Sequence, residues 1–168
     1  MTDQPHELLA EIIDAHGGEL VGRIRLQKVI YLLDQLGLAS GFEYSYHHYG
    51  PYSSEVSSAL LDAESAGVVQ DQIKFRQSDG ASYSVFHSQL DRQPEKVGDL
   101  DRPAAIALLG QMKAQSATVL ELAATIHWLR SVERVDDWQA ELVSRKGSKT
   151  ESGRQEQAVE LLKSLELF

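Results

Sequence analysis

Apolar residues recur at helical spacing along most of this chain, and this pattern limits the fold more than any other feature. It is strongest in the stretch RIRLQKVIYLLDQLGL, which Gly37 ends. One face of that helix carries Leu26, Val29, Ile30 and Leu33. The residues predicted to face solvent are Arg25, Lys28, Asp34 and Gln35. We therefore expect an amphipathic second helix packed on the core along a single stripe.

The same spacing predicts helices at both ends of the chain. A first helix is expected over residues 5–16, ended by Gly17 and Gly18. The second half is predicted to be helical throughout, with a short helical turn around Trp138 and Leu142. Its longer apolar stripes are Ala105, Leu108, Leu109 and Met112; Val119, Leu122, Ala123 and Ile126; and Ala158, Leu161, Leu162 and Leu165.

Two stretches break the helical period. FEYSYHHY, residues 42–49, alternates like a short strand, and Gly50-Pro51 is predicted to form the bend into a third helix. That helix is expected from Ser53 to about Ala66, with its serines as caps. Residues 68–87 contain two strand-like runs around Asp79-Gly80, which predict a β-hairpin.

These elements predict an α+β fold that is mostly helical. Residues 1–90 would form a winged-helix-like half, made of three helices and a hairpin, since that element order is typical of winged helices. The polar segment 91–102 is the predicted linker, and residues 103–168 would form a helical bundle packed against the first half. The length of 168 residues favours one compact unit.

Composition excludes several classes of protein and site. The chain has no cysteine, so disulfides, thiolate metal sites and a cysteine nucleophile are excluded. The net charge of -9 opposes broad attraction to nucleic acid or anionic lipid. The N-terminal stretch lacks a basic region and a long apolar run, so we expect neither a signal peptide nor a membrane span, and a cytoplasmic location.

No pattern indicates catalysis or a cofactor. Neighbouring residues of a strand point to opposite faces, so His47 and His48 are not expected to bind one metal. One should be packed or hydrogen-bonded inside and the other exposed. In KGSKT, Ser148 separates Gly147 from Lys149, which departs from a phosphate-binding P-loop and favours a solvated basic loop. The prediction is a protein that is not an enzyme, and the alternative left open is an enzyme that acts on a phosphorylated or nucleotide substrate through this loop.

Nucleic-acid binding is an alternative that the sequence leaves open. The predicted third helix carries Glu55, Asp62 and Glu64 and no lysine or arginine, so it opposes a polyanion. Candidate contacts to nucleic acid or phosphate come from the second helix and the basic loop. They are Arg25, Lys28, Arg145, Lys146, Lys149 and Arg154.

Two motifs in fixed order resemble a known family. We call them the paired motifs, and their residues are Leu26, Gln27, Lys28 and Tyr31, then Tyr49, Gly50, Pro51, Tyr52 and Ser53. This pattern resembles the YwgA-like uncharacterised bacterial proteins and, more distantly, the Panacea domain of SocA-like and GepA-like antitoxins. The resemblance implies a mostly helical protein that binds and neutralises a cognate toxin, or presents a partner to a protease, with no enzymatic residues.

The expected function is accordingly a protein-protein interaction in a bacterial regulatory, defence or antitoxin setting, with a protein partner. Tyrosine is common in interface centres, so the candidate interface residues are Tyr44, Tyr46 and His48. We also expect Lys28 to neutralise a carboxylate or to bond carbonyl oxygens near the Gly50-Pro51 bend, with Tyr31 packed beside it.

Overall fold

The computed structural model describes residues 4–168, and within them the fold is α+β and mostly helical, as predicted. The α-helices are α1 Pro5–Ala15, α2 Arg23–Gln35, α3 Ser54–Ser65, α4 Arg102–Lys113, α5 Ala117–Ser131, α6 Trp138–Lys146 and α7 Arg154–Ser164, and a 3-10 helix spans Gly147–Thr150. The strands are β1 Glu19–Val21, β2 Ser45–His47, β3 Gly50–Tyr52, β4 Val69–Phe75, β5 Ser82–Ser88, β6 Lys96–Val97 and β7 Leu100–Asp101.

A three-stranded antiparallel sheet has the order β1-β5-β4. The predicted hairpin is confirmed as β4 and β5, which pair from Val69 opposite Ser88 to Phe75 opposite Ser82. Its connection is longer than a tight turn and is closed by the Arg76 N–H, which donates to Ala81 O at 2.9 Å. Leu20 and Phe86 face each other across β1 and β5 and are both fully buried, which seats the sheet on the core.

The segment predicted as a linker, residues 91–102, contains the β6-β7 hairpin and the first residue of α4. Val97 is fully buried in the core. Asp99 N donates to Leu38 O at 2.9 Å, and Arg102 Nη1 lies 2.6 Å from a carboxylate oxygen of Asp14. These contacts fix the segment to the first half of the chain.

Helix α2 lies at the centre of the molecule. It contacts α5, α4, β3 and β1, and all eight residues from Leu26 to Leu33 are buried. The prediction that Lys28 faces solvent is therefore wrong, because its residue exposure is 1%. A helix covered on several sides buries polar positions that a single-stripe pattern assigns to solvent.

The joint before α3 also differs from its prediction. Gly50 and Pro51 do not form the bend but lie in β3, paired with His47 and Tyr46, and the turn is at His48-Tyr49. Proline is tolerated there because a two-stranded ribbon has outer edges that need no N–H donor. The turn leaves both His47 and His48 exposed, so the expectation that one histidine is packed inside is wrong.

Ser53 occupies the N-cap position of α3, but its side chain makes no capping bond, contrary to prediction. Its hydroxyl is buried instead. None of the helices within residues 4–168 has both the length and the apolar character needed to cross a membrane.

Candidate functional site where the paired motifs meet

The two halves of the paired motifs lie against each other and are joined by hydrogen bonds to backbone groups. Gln27 Nε2 donates to Ser53 O at 2.9 Å, and Ser53 N donates to Gln27 Oε1 at 3.0 Å. Lys28 Nζ donates to Pro51 O at 2.6 Å, which is one of the two contacts expected for it. Helix α2 is thus fixed to β3 and to the start of α3 by two adjacent side chains.

Tyr31 connects the same motif to α5. It is buried, and its hydroxyl lies 2.7 Å from Nδ1 of His127. Its ring meets that of Tyr44 edge to face, with centroids 5.1 Å apart. Burial lowers the pKa of His127 below its ordinary value, so this imidazole is neutral at pH 7 and its Nδ1 can accept the tyrosine proton in a hydrogen bond.

A buried charge cluster lies behind the motifs. Glu121 of α5 is 3% exposed, and its Oε2 lies 2.9 Å from Lys146 Nζ and 3.0 Å from Lys149 Nζ. Lys146 also donates to His48 O at 3.2 Å. Burial lowers the pKa of Lys28 to about 8; Glu121 opposes this shift, whereas Lys146 and Lys149 add to it. Three lysines therefore share the field of one carboxylate.

A cavity of about 190 Å³ opens between α2, α3 and the β2-β3 hairpin. Five residues of the paired motifs line it: Leu26, Gln27, Lys28, Tyr49 and Tyr52. Ile24, Val56 and Leu60 make the remaining wall mainly apolar. The Tyr52 ring lies 4.6 Å from that of His47, and its hydroxyl lies 2.8 Å from Ser57 Oγ. Sequence signatures that are twenty residues apart therefore form one concave surface.

The structure separates the three predicted interface residues. Tyr44 is partly buried, and its hydroxyl donates to Asp34 Oδ2 at 2.6 Å. The ring of Tyr46 lies under the Arg145 guanidinium, 4.7 Å from its centre, so this ring is covered. His48 is exposed. Tyr49, which was not among the predicted interface residues, is 45% exposed and lines the cavity. The structure places it in the turn between β2 and β3.

The six candidate cations all have intramolecular partners, and the stretch that contains four of them is not the solvated loop that was predicted. Its residues belong to the end of α6, the 3-10 helix and the start of α7. Arg25 donates to the carbonyls of Met112 and Gln115, and Arg154 to those of Lys149 and Ser148. Arg145 forms ion pairs with Glu133 and Glu141.

Sequence reasoning missed the polar residues of α5 that complete the site, namely Glu121, Thr125 and His127. They interrupt an otherwise apolar helix, and a polar residue within a buried stripe is the only signal that could have indicated them. Within residues 4–168, no group of three metal-ligating side chains is arranged to hold a metal ion.

Comparison with known proteins gives one relative without an assigned function. The chain is 27% identical over 116 residues to the uncharacterized protein YwgA of Bacillus subtilis (strain 168), and the alignment covers 69% of each chain. No protein-family model matches the chain. This comparison does not show a relation to Panacea-domain antitoxins. The finding is a similarity to YwgA over about two thirds of each chain.

Proposed function

We propose that the chain is a non-enzymatic protein-interaction module whose partner inserts an apolar side chain into the cavity between α2 and α3. The observation that carries this proposal is the cavity wall, to which both halves of the paired motifs contribute. Pockets for drug-sized ligands are commonly about 300–1,000 Å³. At about 190 Å³, this cavity suits one side chain better than a whole small molecule or cofactor.

The surroundings of the cavity favour an interface. Tyr49, Tyr52 and His47 border it, and aromatic side chains are enriched in the central residues of interfaces. The bonds of Lys28 to the β3 backbone and of Gln27 to the Ser53 backbone hold its wall in place. A preformed pocket loses little conformational freedom on binding, so one anchor side chain can contribute a large share of the affinity.

We propose a bacterial toxin–antitoxin or defence setting for this interaction, on the support of the paired motifs. A toxic protein encoded next to this chain would be the partner. Co-expression should restore growth to cells that produce that neighbour, and Ser57→Leu should remove the protection. Continued growth arrest with folded wild-type protein would contradict this setting.

The second candidate is a nucleic-acid-binding regulator with a winged-helix-like N-terminal half. The support for that arrangement is the element order α1, β1, α2, β2, β3, α3, β4, β5, in which the β2-β3 hairpin is inserted between α2 and α3, with the sheet order β1-β5-β4. Charge opposes the function, because α3 is acidic and the candidate cations bond within the chain. A gel shift at low salt tests it, and absence of binding would remove this candidate.

The cavity proposal is tested by photo-cross-linking in the native host. A photoreactive amino acid placed at Tyr49, at the cavity rim, should give one stoichiometric protein adduct. Ser57→Leu places a larger side chain in the cavity wall and should abolish the adduct, whereas Ser58→Leu, on the exposed face of the same helix, should keep it. Circular dichroism confirms that both variants are folded.

Two results would contradict the proposal. One is the absence of any adduct from folded, abundant protein. The other is an adduct that survives Ser57→Leu as fully as it survives Ser58→Leu, because the cavity would then not be the contact.

A further inference from the structure

A second concave surface, which we call the β5 groove, lies beside the start of α2 and has a volume of about 770 Å³. Its apolar lining residues are Val21, Ile24, Ile73, Tyr83 and Ala117, and its cations are Arg23, Arg25 and Arg76. Val21 is 45% exposed and Ile73 is 52% exposed. An apolar surface with three arginines is unusual on a chain with a net charge of -9.

One wall of the groove is the part of the β5 edge with which no other strand of residues 4–168 pairs. Strand β5 pairs with β4 along all seven residues, but with β1 only from Val85 to His87. Gly22 N then donates to Ser84 O at 2.9 Å, and the chain turns into α2. The first residues of β5 thus have a strand on one side only.

The direction of the backbone groups follows from two hydrogen bonds. Ser84 O accepts from Gly22 and so points to the β1 side, whereas Ala81 O accepts from Arg76 and points to the β4 side. Backbone groups alternate between the edges of an antiparallel strand. The N–H and C=O of Ser82 therefore point to the β1 side, where the groove lies.

The charges around the groove favour an acidic occupant. Among residues 4–168, Arg25 donates to the carbonyls of Met112 and Gln115 and forms an ion pair with none of the carboxylates. Arg23 and Arg76 form ion pairs with Asp71 and Asp79, and neither aspartate lines the groove. Arg76 and Asp79 are both more than half exposed, and such pairs contribute little, so Arg76 can exchange its partner.

We propose that the β5 groove binds an extended acidic segment of a partner protein, which adds to β5 as a strand at Ser82 and places alternate apolar side chains on the sheet face that carries Ile73, the residue paired with Ser84. A peptide backbone can pair with the open edge, whereas a nucleic acid offers neither that backbone nor apolar side chains. This inference rests on the proposed function only because both require a protein partner. The β5 groove and the cavity between α2 and α3 share two lining residues, Arg23 and Ile24.

The test uses two labelled peptides, one alternating valine and glutamate and the other alternating valine and lysine. Fluorescence anisotropy should show the glutamate peptide binding at least about tenfold more tightly. Binding should slow hydrogen exchange at the Ser82 amide. The double variant Arg25→Gln/Arg76→Gln should weaken binding by about tenfold or more, whereas Arg134→Gln/Lys163→Gln, at exposed sites outside the groove, should not.

The backbone contact is tested by Ser82→Pro, which removes the N–H that faces the groove and leaves the bonds to β4 in place. It should abolish peptide binding with little change in melting temperature. If it unfolds the protein, the arginine double variant still decides the question.

Three results would overturn the inference. The first is equal binding of the two peptides. The second is binding of a short DNA duplex, lost in the arginine double variant, without binding of the glutamate peptide. The third is self-association lost on Ile73→Lys, which would make a second copy the occupant. Ser57→Leu should leave peptide binding unchanged, so failure of the cavity proposal and failure of this inference give different results.

Discussion

At the residue scale, the paired motifs act mainly through contacts between side chains and backbone. Gln27 bonds both the N–H and the C=O of Ser53, and Lys28 bonds the carbonyl of Pro51. Gly50 completes this arrangement because it lies close to Thr125 of α5 and has a φ of 96°. The geometry therefore explains each residue type. The amide of Gln27 can pair with both backbone groups of Ser53, the long side chain of Lys28 reaches a carbonyl, and Gly50 has no Cβ to clash with α5.

We expect Gly50→Ala to lower the free energy of unfolding by about 2–4 kcal/mol, as backbone strain adds to a steric clash. A Cβ at this position would lie 2.7 Å from Thr125 Oγ1. Gly18→Ala is the matched control, because its φ is also positive but nothing lies within 4 Å of its Cβ. Urea denaturation should show a larger loss for Gly50→Ala, and equal losses would mean that the close approach to α5 is unimportant.

Lys28 should make stability depend on pH. Its pKa is lowered to about 8 in the folded protein from 10.5, so between these values the unfolded chain binds more protons. The free energy of unfolding should therefore rise with pH through this window, relative to Lys28→Met, by up to about 1.4 kcal/mol per pH unit.

Urea denaturation of both proteins from about pH 8 to about pH 10 measures this slope within that window. Lys74→Met, at an exposed site on β4, controls for the loss of a lysine. Parallel curves for the wild type and Lys28→Met would show that Lys28 is not desolvated as the structure indicates.

At the element scale, α5 is a buried helix that carries its own polar groups. Glu121, Thr125 and His127 are each less than 10% exposed on a helix whose apolar residues pack against α2, α6 and α7. Lys146 at the end of α6 supplies the counter-charge for Glu121. The C-terminal half thus contributes electrostatic support for the motif-bearing half, in addition to apolar surface.

We expect Glu121→Gln to destabilise the protein by about 3–5 kcal/mol, because it leaves the buried ammonium of Lys146 without a carboxylate. The double variant Glu121→Leu/Lys146→Met should recover most of that loss, since it removes both charges. Urea denaturation measures both. If the double variant is as unstable as Glu121→Gln, the loss comes from packing and not from the unpaired charge.

At the scale of the whole molecule, both halves share one hydrophobic core. Its buried residues extend from Leu8 of α1 to Leu165 just after α7, and α2 of the first half lies against α5 of the second. The proposed cavity and the β5 groove are both bordered by the start of α2. Their geometry therefore depends on how the two halves pack.

We expect the two halves to unfold together. Leu129 of α5 is fully buried, so Leu129→Ala should lower the free energy of unfolding by about 2–5 kcal/mol. Hydrogen exchange should become faster by the same factor in the most protected amides of α1 and α7. Faster exchange confined to α7 would show that the halves are separate cooperative units.

Local patterns in the sequence determined the helical class, the positions of the main helices and the β4-β5 hairpin, because apolar periodicity and turn residues act over a few neighbours. They also singled out the residues of the paired motifs. They gave the wrong environment for Lys28, for one histidine of the pair His47 and His48, and for the basic stretch from the end of α6 to the start of α7, because each depends on contacts made by distant elements.

Tertiary structure alone decided that five residues of the paired motifs line one cavity, and that Glu121 lies behind them. The five are Leu26, Gln27, Lys28, Tyr49 and Tyr52. The pairing of Gln27 with Ser53 joins residues 26 positions apart, and that of Glu121 with Lys146 joins α5 to α6. No local period encodes such distances. The burial of a polar group depends on which elements surround it, and that is fixed only when the whole core assembles.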